Sequence, residues 1–350
     1  MPKRTKGKKH MEKIYDKEKI NPVLFFSNGA LYAGKQTGLS SEEFYFDMKK
    51  SYTAQKEIYE IHGSDDKPYY DLPHGQILDL GGELIIPESP YIQLPKVKNY
   101  PINSLDEAKS YTLPTIKKRK FTYLRTEFFE FVKKEGNEGV SISGGSPFSI
   151  VGYMVEPNLL MRWIVKEPEI VKRLLSQAIQ YLCETADIYI QKFGVDNCSV
   201  HSNYPFESND LISPRHFKKF ALPAMIDIHE KLRNRGLKNY SIHLCGNHNK
   251  NLEYFKELKL ENGSFISCDE KNDLKHVSKV LGSQYTYGGN ISTNLLIEGR
   301  PSEVFEESIK IIRKMEYNRG GFALMPSCDL PIDANPQNID AMFDAAKKFR

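Results

Sequence analysis

From about residue 195 onward the chain repeats one statement: a short apolar strand, a polar or glycine-containing strand end, then an amphipathic helix. The spacing predicts strands at 197–201, 240–244, 265–268, 285–288 and 322–325, separated by helices at 214–235, 251–258, 274–281 and 301–317. This alternation commits the fold to a parallel sheet, because a parallel crossover needs about a dozen residues to carry the chain back to the same edge. The first half is less regular. It offers strands at 23–27, 83–86 and 140–143, helices near 41–62, 121–134 and 167–193, and a proline-rich excursion over 87–114. These make eight strand candidates, with no Ser-, Gly- or Pro-rich linker to divide them. The expectation is a single (β/α)8 TIM barrel over residues 11–350 behind a short tail, with a doubly wound open sheet as the alternative.

Charge narrows the partners. The formal net charge of +4 comes from the head: Lys3, Arg4, Lys6, Lys8 and Lys9 lie in residues 1–10, and the rest carries 44 positive against 45 negative side chains. A near-neutral body lacks the basic footprint of a nucleic-acid binder. Residues 1–10 are read as a basic flexible tail, and Met11 offers a second possible start. No apolar run approaches the roughly 20 residues of a membrane span, and no apolar segment follows the basic head, so the expected location is cytoplasmic. Five cysteines (Cys183, Cys198, Cys245, Cys268, Cys328) are too few and odd-numbered for a disulfide framework. A functional cysteine here points to metal ligation or nucleophilic chemistry.

In a parallel α/β fold the ligand site lies at the C-terminal ends of the strands. Those ends read His201–Tyr204, His243–Asn247, Cys268–Glu270, Gly288–Asn290 and Ser327–Asp329. In an extended segment residues i and i+2 share a side, so His243 and Cys245 can face one ion. Imidazole and thiolate are preferred zinc ligands, and a catalytic zinc takes three protein ligands and leaves one position open. Cys328, closing the last strand, is the natural third. The spacing alone equally allows two half-buried core residues.

Asp196, His201, Asp269 and Asp329 are candidates for supporting or substrate contacts, with helix capping and turn chemistry as the alternative. Gly29–Lys35 imitates a phosphate-binding loop, but Gln36 stands where Ser or Thr is required, so the stretch reads as a loop lining the mouth. Gly144 and Gly145 lack a dinucleotide-binding spacing and suit close backbone approach. Tyr32, Phe148, Tyr204, Tyr285 and Tyr287 suggest a partly apolar pocket.

The run His243-Leu-Cys245-Gly246, then Ile266–Asp269, Gly289–Ile291 and Gly321–Asp329 with Asn338 following, resembles the uroporphyrinogen decarboxylase superfamily. Within it the chain is similar to the zinc-dependent, corrinoid-linked methyltransferases, most strongly from Asp196 to the C-terminus. Members are (β/α)8 barrels. The resemblance implies His243, Cys245 and Cys328 as catalytic zinc ligands, with His201, Tyr204, Phe148, Asp269 and Asn290 as substrate contacts. It further implies methylcobalamin carried on a separate corrinoid protein, and a small thiol or methylated substrate. The decarboxylases hold porphyrin carboxylates with an arginine-rich N-terminal loop, whereas residues 21–37 here contain no arginine. A decarboxylase or lyase, or a non-catalytic corrinoid- or tetrapyrrole-binding barrel, are the alternatives.

Overall fold

The computed structural model describes residues 23–136 and 139–350, so the basic tail expected at 1–10 lies outside the described residues. Seven strands form one parallel sheet in the order β1-β9-β8-β7-β6-β5-β4. They are β1 (Leu24–Phe25), β4 (Val140–Ser143), β5 (Cys198–Asn203), β6 (Tyr240–Leu244), β7 (Phe265–Cys268), β8 (Thr286–Ile291) and β9 (Phe322–Pro326). Each strand after β1 follows a helical crossover, and first and last strands pair, Leu24 opposite Ala323. This is the α/β barrel architecture expected from the sequence.

The eighth strand candidate does not join it. Residues 83–86 yield β2 (Glu83–Ile85), which pairs antiparallel with β3 (Lys96–Asn99) in a separate two-stranded ribbon. Its residues are mostly exposed, so it has no apolar face to bury in a barrel. The gap between β1 and β4 is filled instead by irregular chain and one arginine. Asp65 N donates to Phe25 O (2.7 Å), and Ser27 N donates to Ser64 Oγ (3.1 Å). On the far side Arg125 donates to Ser143 Oγ (2.7 Å) and Ser141 O (2.6 Å), satisfying the open edge of β4.

Arg125 is fixed by its helix, Lys120–Lys134, whose start is anchored by a fully buried carboxylate. Asp79 accepts from Phe121 N (2.7 Å), the Thr122 hydroxyl (2.5 Å) and the Tyr181 hydroxyl (2.9 Å). Behind it Phe129 packs edge-on to Tyr189 and Phe193, with centroids 5.8 and 6.2 Å away. Burying each such ring is worth about 2–3 kcal/mol.

Two helices depart from expectation. The one expected at 41–62 breaks at Asp47, which ends Ser41–Phe46 in an extended conformation and caps Met48–Ile61 through Lys50 N (3.0 Å). The one expected at 214–235 holds a wider π segment, Phe217–Ala221, just before Pro223, which has no N–H to continue the ladder. The barrel floor is apolar: Phe26 meets Phe265 edge-on at 5.9 Å, and Gly288 leaves room where a Cβ would lie 2.4 Å from the Phe265 ring. The polar residues are thereby concentrated above it, towards the strand ends.

Candidate metal centre at the mouth of the barrel

Along β6 the odd residues face the barrel axis and the even ones, Tyr240, Ile242 and Leu244, are buried under the helices. Ser241, His243 and Cys245 therefore rise in one column. Gly246 ends it at φ +78°, where a Cβ would meet Asp210 Oδ2 and Ser208 Cβ at 3.1 Å, so glycine suits the turn. The Cys245 carbonyl accepts from His248 Nε2 (3.0 Å), which also donates to Tyr204 O (3.0 Å), pinning the strand end to its neighbour.

Cys328 arrives from β9. Ser327 is held by Ile291 O (2.7 Å) and, through its hydroxyl, by Glu270. The ligating atoms of His243, Cys245 and Cys328 all lie within 4.8 Å of one another. Across 82 residues of chain, the barrel brings both cysteines beside the histidine.

The imidazole is 93% buried, being 7% exposed, and its Nδ1 lies 2.8 Å from Ser267 Oγ on the adjacent strand. Its Nε2 has no protein hydrogen-bond partner. A buried nitrogen left unpaired beside two sulfurs costs about 1–3 kcal/mol unless something is bound there. The two sulfurs act on each other. The Cys245 hydrogen bond and the nearby His243 pull the Cys328 thiol down against its burial, while that same bond, burial and the Cys328 charge push Cys245 up. One imidazole and two sulfurs are a donor set that suits zinc, with one position left for substrate.

Three carboxylates surround the set. Burial and the charge of Asp329 push Asp71 up to about 8, with the Arg125 guanidinium opposing them. Burial and the Cys328 thiolate push Asp329 up to about 6; the residue opens to the mouth and accepts from Asn28 Nδ2 (2.7 Å). Asp269 acts on Cys245, while its carboxylate accepts from Gly246 N (3.3 Å) and Lys271 N (2.9 Å). Asn290 donates to Asp269 O (3.2 Å) and Asn272 O (2.9 Å), so both residues shape the loop after β7. His201 lies on the lumen face of β5 with Nδ1 2.8 Å from Ser241 Oγ. Solvent reaches it, yet the surrounding chain desolvates the ring and, with His243 and Arg125, holds its imidazolium down at about 4.

Other sequence candidates fall elsewhere. Tyr204 lies on the helix-facing side, fully buried, its hydroxyl 3.1 Å from His229 Nε2 and its ring 5.4 Å from Phe255. Phe148 is fully buried in helix Pro147–Met154. Asp196 precedes β5, at the opposite end of the barrel from the centre. Tyr287 alternates away from the lumen and donates to Gly282 O (2.8 Å), and Tyr285 donates to Leu260 O (3.1 Å). The Gly29–Lys35 stretch is not a loop: it forms helix Ala30–Gln36, with Tyr32 buried against His62 (3.1 Å) and Lys35 paired with Asp333.

Sequence reasoning missed Ser267, Asp71 and Arg125. Ser267 was accessible, since alternation along β7 sets it on the inner face between Phe265 and Asp269. Asp71 carried no strand signal, and Arg125 sits mid-helix among phenylalanines.

Among curated proteins none matches this sequence. A methyltransferase from Methanosarcina mazei is similar in fold, with a TM-score of 0.76 at 19% identity over 97% of this chain and 98% of that one. So is a B12-independent methionine synthase from Shewanella sp. W3-18-1, solved in complex with selenomethionine, with a TM-score of 0.53 at 11% identity over 93% and 98%. The uroporphyrinogen decarboxylase (URO-D) family matches residues 8–349, essentially the whole chain, which therefore belongs to that family.

Proposed function

We propose that this protein is a zinc-dependent methyltransferase that moves a methyl group between a corrinoid, carried on a separate protein, and a small thiol or other methylated substrate. The observation that carries this reading is the unpaired, buried Nε2 of His243 beside the sulfurs of Cys245 and Cys328. Fold similarity to a methyltransferase from Methanosarcina mazei supports its methyl-transfer part; the methionine synthase of similar fold is B12-independent and does not bear on the corrinoid.

His243, Cys245 and Cys328 would hold the ion. When bound, zinc is a Lewis acid that keeps a coordinated substrate thiol ionised near neutral pH, or polarises the atom that bears a departing methyl group. The corrinoid would supply the methyl group as an electrophile and keep the bonding electron pair. The chain's own part is positioning and charge. Ser267 orients the His243 ring, and His248 fixes the backbone of Cys245. Two protein thiolates with a neutral imidazole cancel the charge of a divalent ion, so an added substrate thiolate stays electron-rich and nucleophilic. The mouth lies at the strand ends, where an oncoming partner protein can reach it.

The reading predicts about one zinc per chain in the purified protein, lost in both His243→Ala and Cys328→Ala with the far-UV circular dichroism unchanged. Metal-free wild-type protein that takes up no added zinc would sink it. The carboxylate-rich mouth disfavours a polyanionic porphyrin, which argues against a decarboxylase.

A further inference from the structure

His243 and Cys245 are neighbours on one strand, but Cys328 has to be brought to them. Its strand, β9, is separated from β6 by β7 and β8, three strand spacings or roughly 14 Å along the sheet. The ligating atoms nevertheless lie within 4.8 Å of one another. The sheet ladder does not set that distance, because both cysteines lie beyond it. Its last paired residues there are Leu244, opposite Cys268, and Pro326, opposite Ile291. Contacts between the strand ends must therefore fix how far apart the two sulfurs stand.

One short turn, residues 269–272 after β7, touches both ends. On the β6 side the Asp269 carboxylate accepts from Gly246 N (3.3 Å), and Asn272 Nδ2 donates to Gly246 O (2.7 Å). Asn272 Oδ1 also accepts from His248 N (2.9 Å), so the residue that follows Cys245 is gripped on both its amide and its carbonyl. On the β9 side Glu270 reaches past β8. It accepts from the hydroxyl of Ser327, the residue before Cys328, and from the Ser292 hydroxyl (3.1 Å). The turn is itself tied down. Asn272 is fully buried and its N donates to Asp269 O (3.0 Å), while Asn249 Nδ2 holds Lys271 O (2.8 Å) and Asn290 Nδ2 holds Asn272 O (2.9 Å).

We propose that this turn is a bracket that sets the spacing of the two thiols for the metal, with Asn272 positioning Cys245 through Gly246 and Glu270 positioning Cys328 through Ser327. Both are positioning residues, since each acts on a ligand only through the neighbouring backbone. The inference rests on the metal-centre reading and adds to it a cause for the geometry. With the bracket in place the two sulfurs stand together before an ion arrives. Without it the ion itself must gather two strand ends, and the ordering of that chain is subtracted from its affinity.

The test is a cobalt(II) titration of the metal-free full-length protein, read from its thiolate-to-metal charge-transfer and ligand-field bands, with zinc affinity measured by chelator competition. The wild type should take up about one cobalt per chain with the strong ligand-field bands of a four-coordinate, thiolate-bound ion. Glu270→Ala and Asn272→Ala should each weaken those bands and lower zinc affinity by about tenfold. Ser327→Ala should match Glu270→Ala, and the two together should lose no more than either alone, because they break one link. Glu270→Gln, which still bonds both hydroxyls, should restore the wild-type spectrum and affinity. Glu270 is exposed, so its arm of the test stands even where Asn272→Ala does not fold. A wild-type spectrum and affinity in Glu270→Ala overturn the inference, as does Glu270→Gln binding as weakly as Glu270→Ala. So does a lower melting temperature of the metal-free variants with the cobalt bands unchanged, which is the mark of a merely structural role. A wild type that takes up no cobalt, or shows no thiolate charge-transfer band, removes the metal-centre reading and the bracket with it. Unaltered variants beside a normal wild type remove the bracket alone.

Discussion

His243 turns its Nδ1 to the Ser267 hydroxyl at 2.8 Å and leaves its Nε2 free between two cysteines. The ring is oriented by a residue on the next strand, and parallel register does the aligning, since His243 stands opposite Ser267. Groups that hold a metal-binding histidine through its second nitrogen typically account for about 10–100-fold in metal affinity. Ser267→Ala should therefore weaken zinc binding by about that factor in chelator competition, with the melting temperature of the metal-free protein nearly unchanged. Unchanged affinity would mean that the barrel wall alone sets the ring.

Acid stability should depend on buried neutral imidazoles. Desolvation, aided by Arg233, holds His229 down at about 3 from an ordinary 6.5, and desolvation holds His248 down at about 4. Because the unfolded chain takes up these protons first, their contribution is full above 6.5 and is lost as pH falls towards 4 and then 3. Each group adds roughly 1.4 kcal/mol per pH unit across that window. Glu207, pushed up to about 7 by burial, works in the opposite direction between 4.5 and 7. The comparison to make is thus between wild type and His229→Gln in denaturant melts from pH 7 to pH 4, where the variant's decline should be the shallower.

Gly145 sits at φ +40° where the chain leaves β4, and a Cβ there would lie 2.3 Å from Ser202 Oγ, 2.5 Å from His229 Nε2 and 2.6 Å from the Tyr204 hydroxyl. Gly145→Ala should cost about 1–2 kcal/mol in backbone strain and about 1–3 kcal/mol in overpacking. Chemical denaturation reads this directly. A loss below about 0.5 kcal/mol would show that β4 and β5 are not locked at this point.

The fold was legible where alternation was strong. β4, β6 and β7 begin and end where the sequence places them, because each is a short apolar run bounded by glycine or polar residues. The wall between β1 and β4 was not legible: residues 64–72 carry neither strand nor helix periodicity, and Asp71 entered the site unseen. The ligand column could be read because period two is rigid along a strand. The aromatic pocket failed for the same reason, since Tyr204 and Tyr287 occupy the opposite phase and point into the helices.

The central claim is that His243, Cys245 and Cys328 together make a substrate atom reactive towards a corrinoid-borne methyl group. Its most direct test is the rate of methyl transfer from free methylcobalamin to 2-aminoethanethiol, followed spectroscopically, in zinc-loaded wild type, metal-free wild type and Cys328→Ala. The account predicts transfer in the first, none above background in the second until zinc is restored, and none in the third at any zinc concentration. Equal rates in all three, or no transfer in the zinc-loaded protein to any thiol, would contradict it.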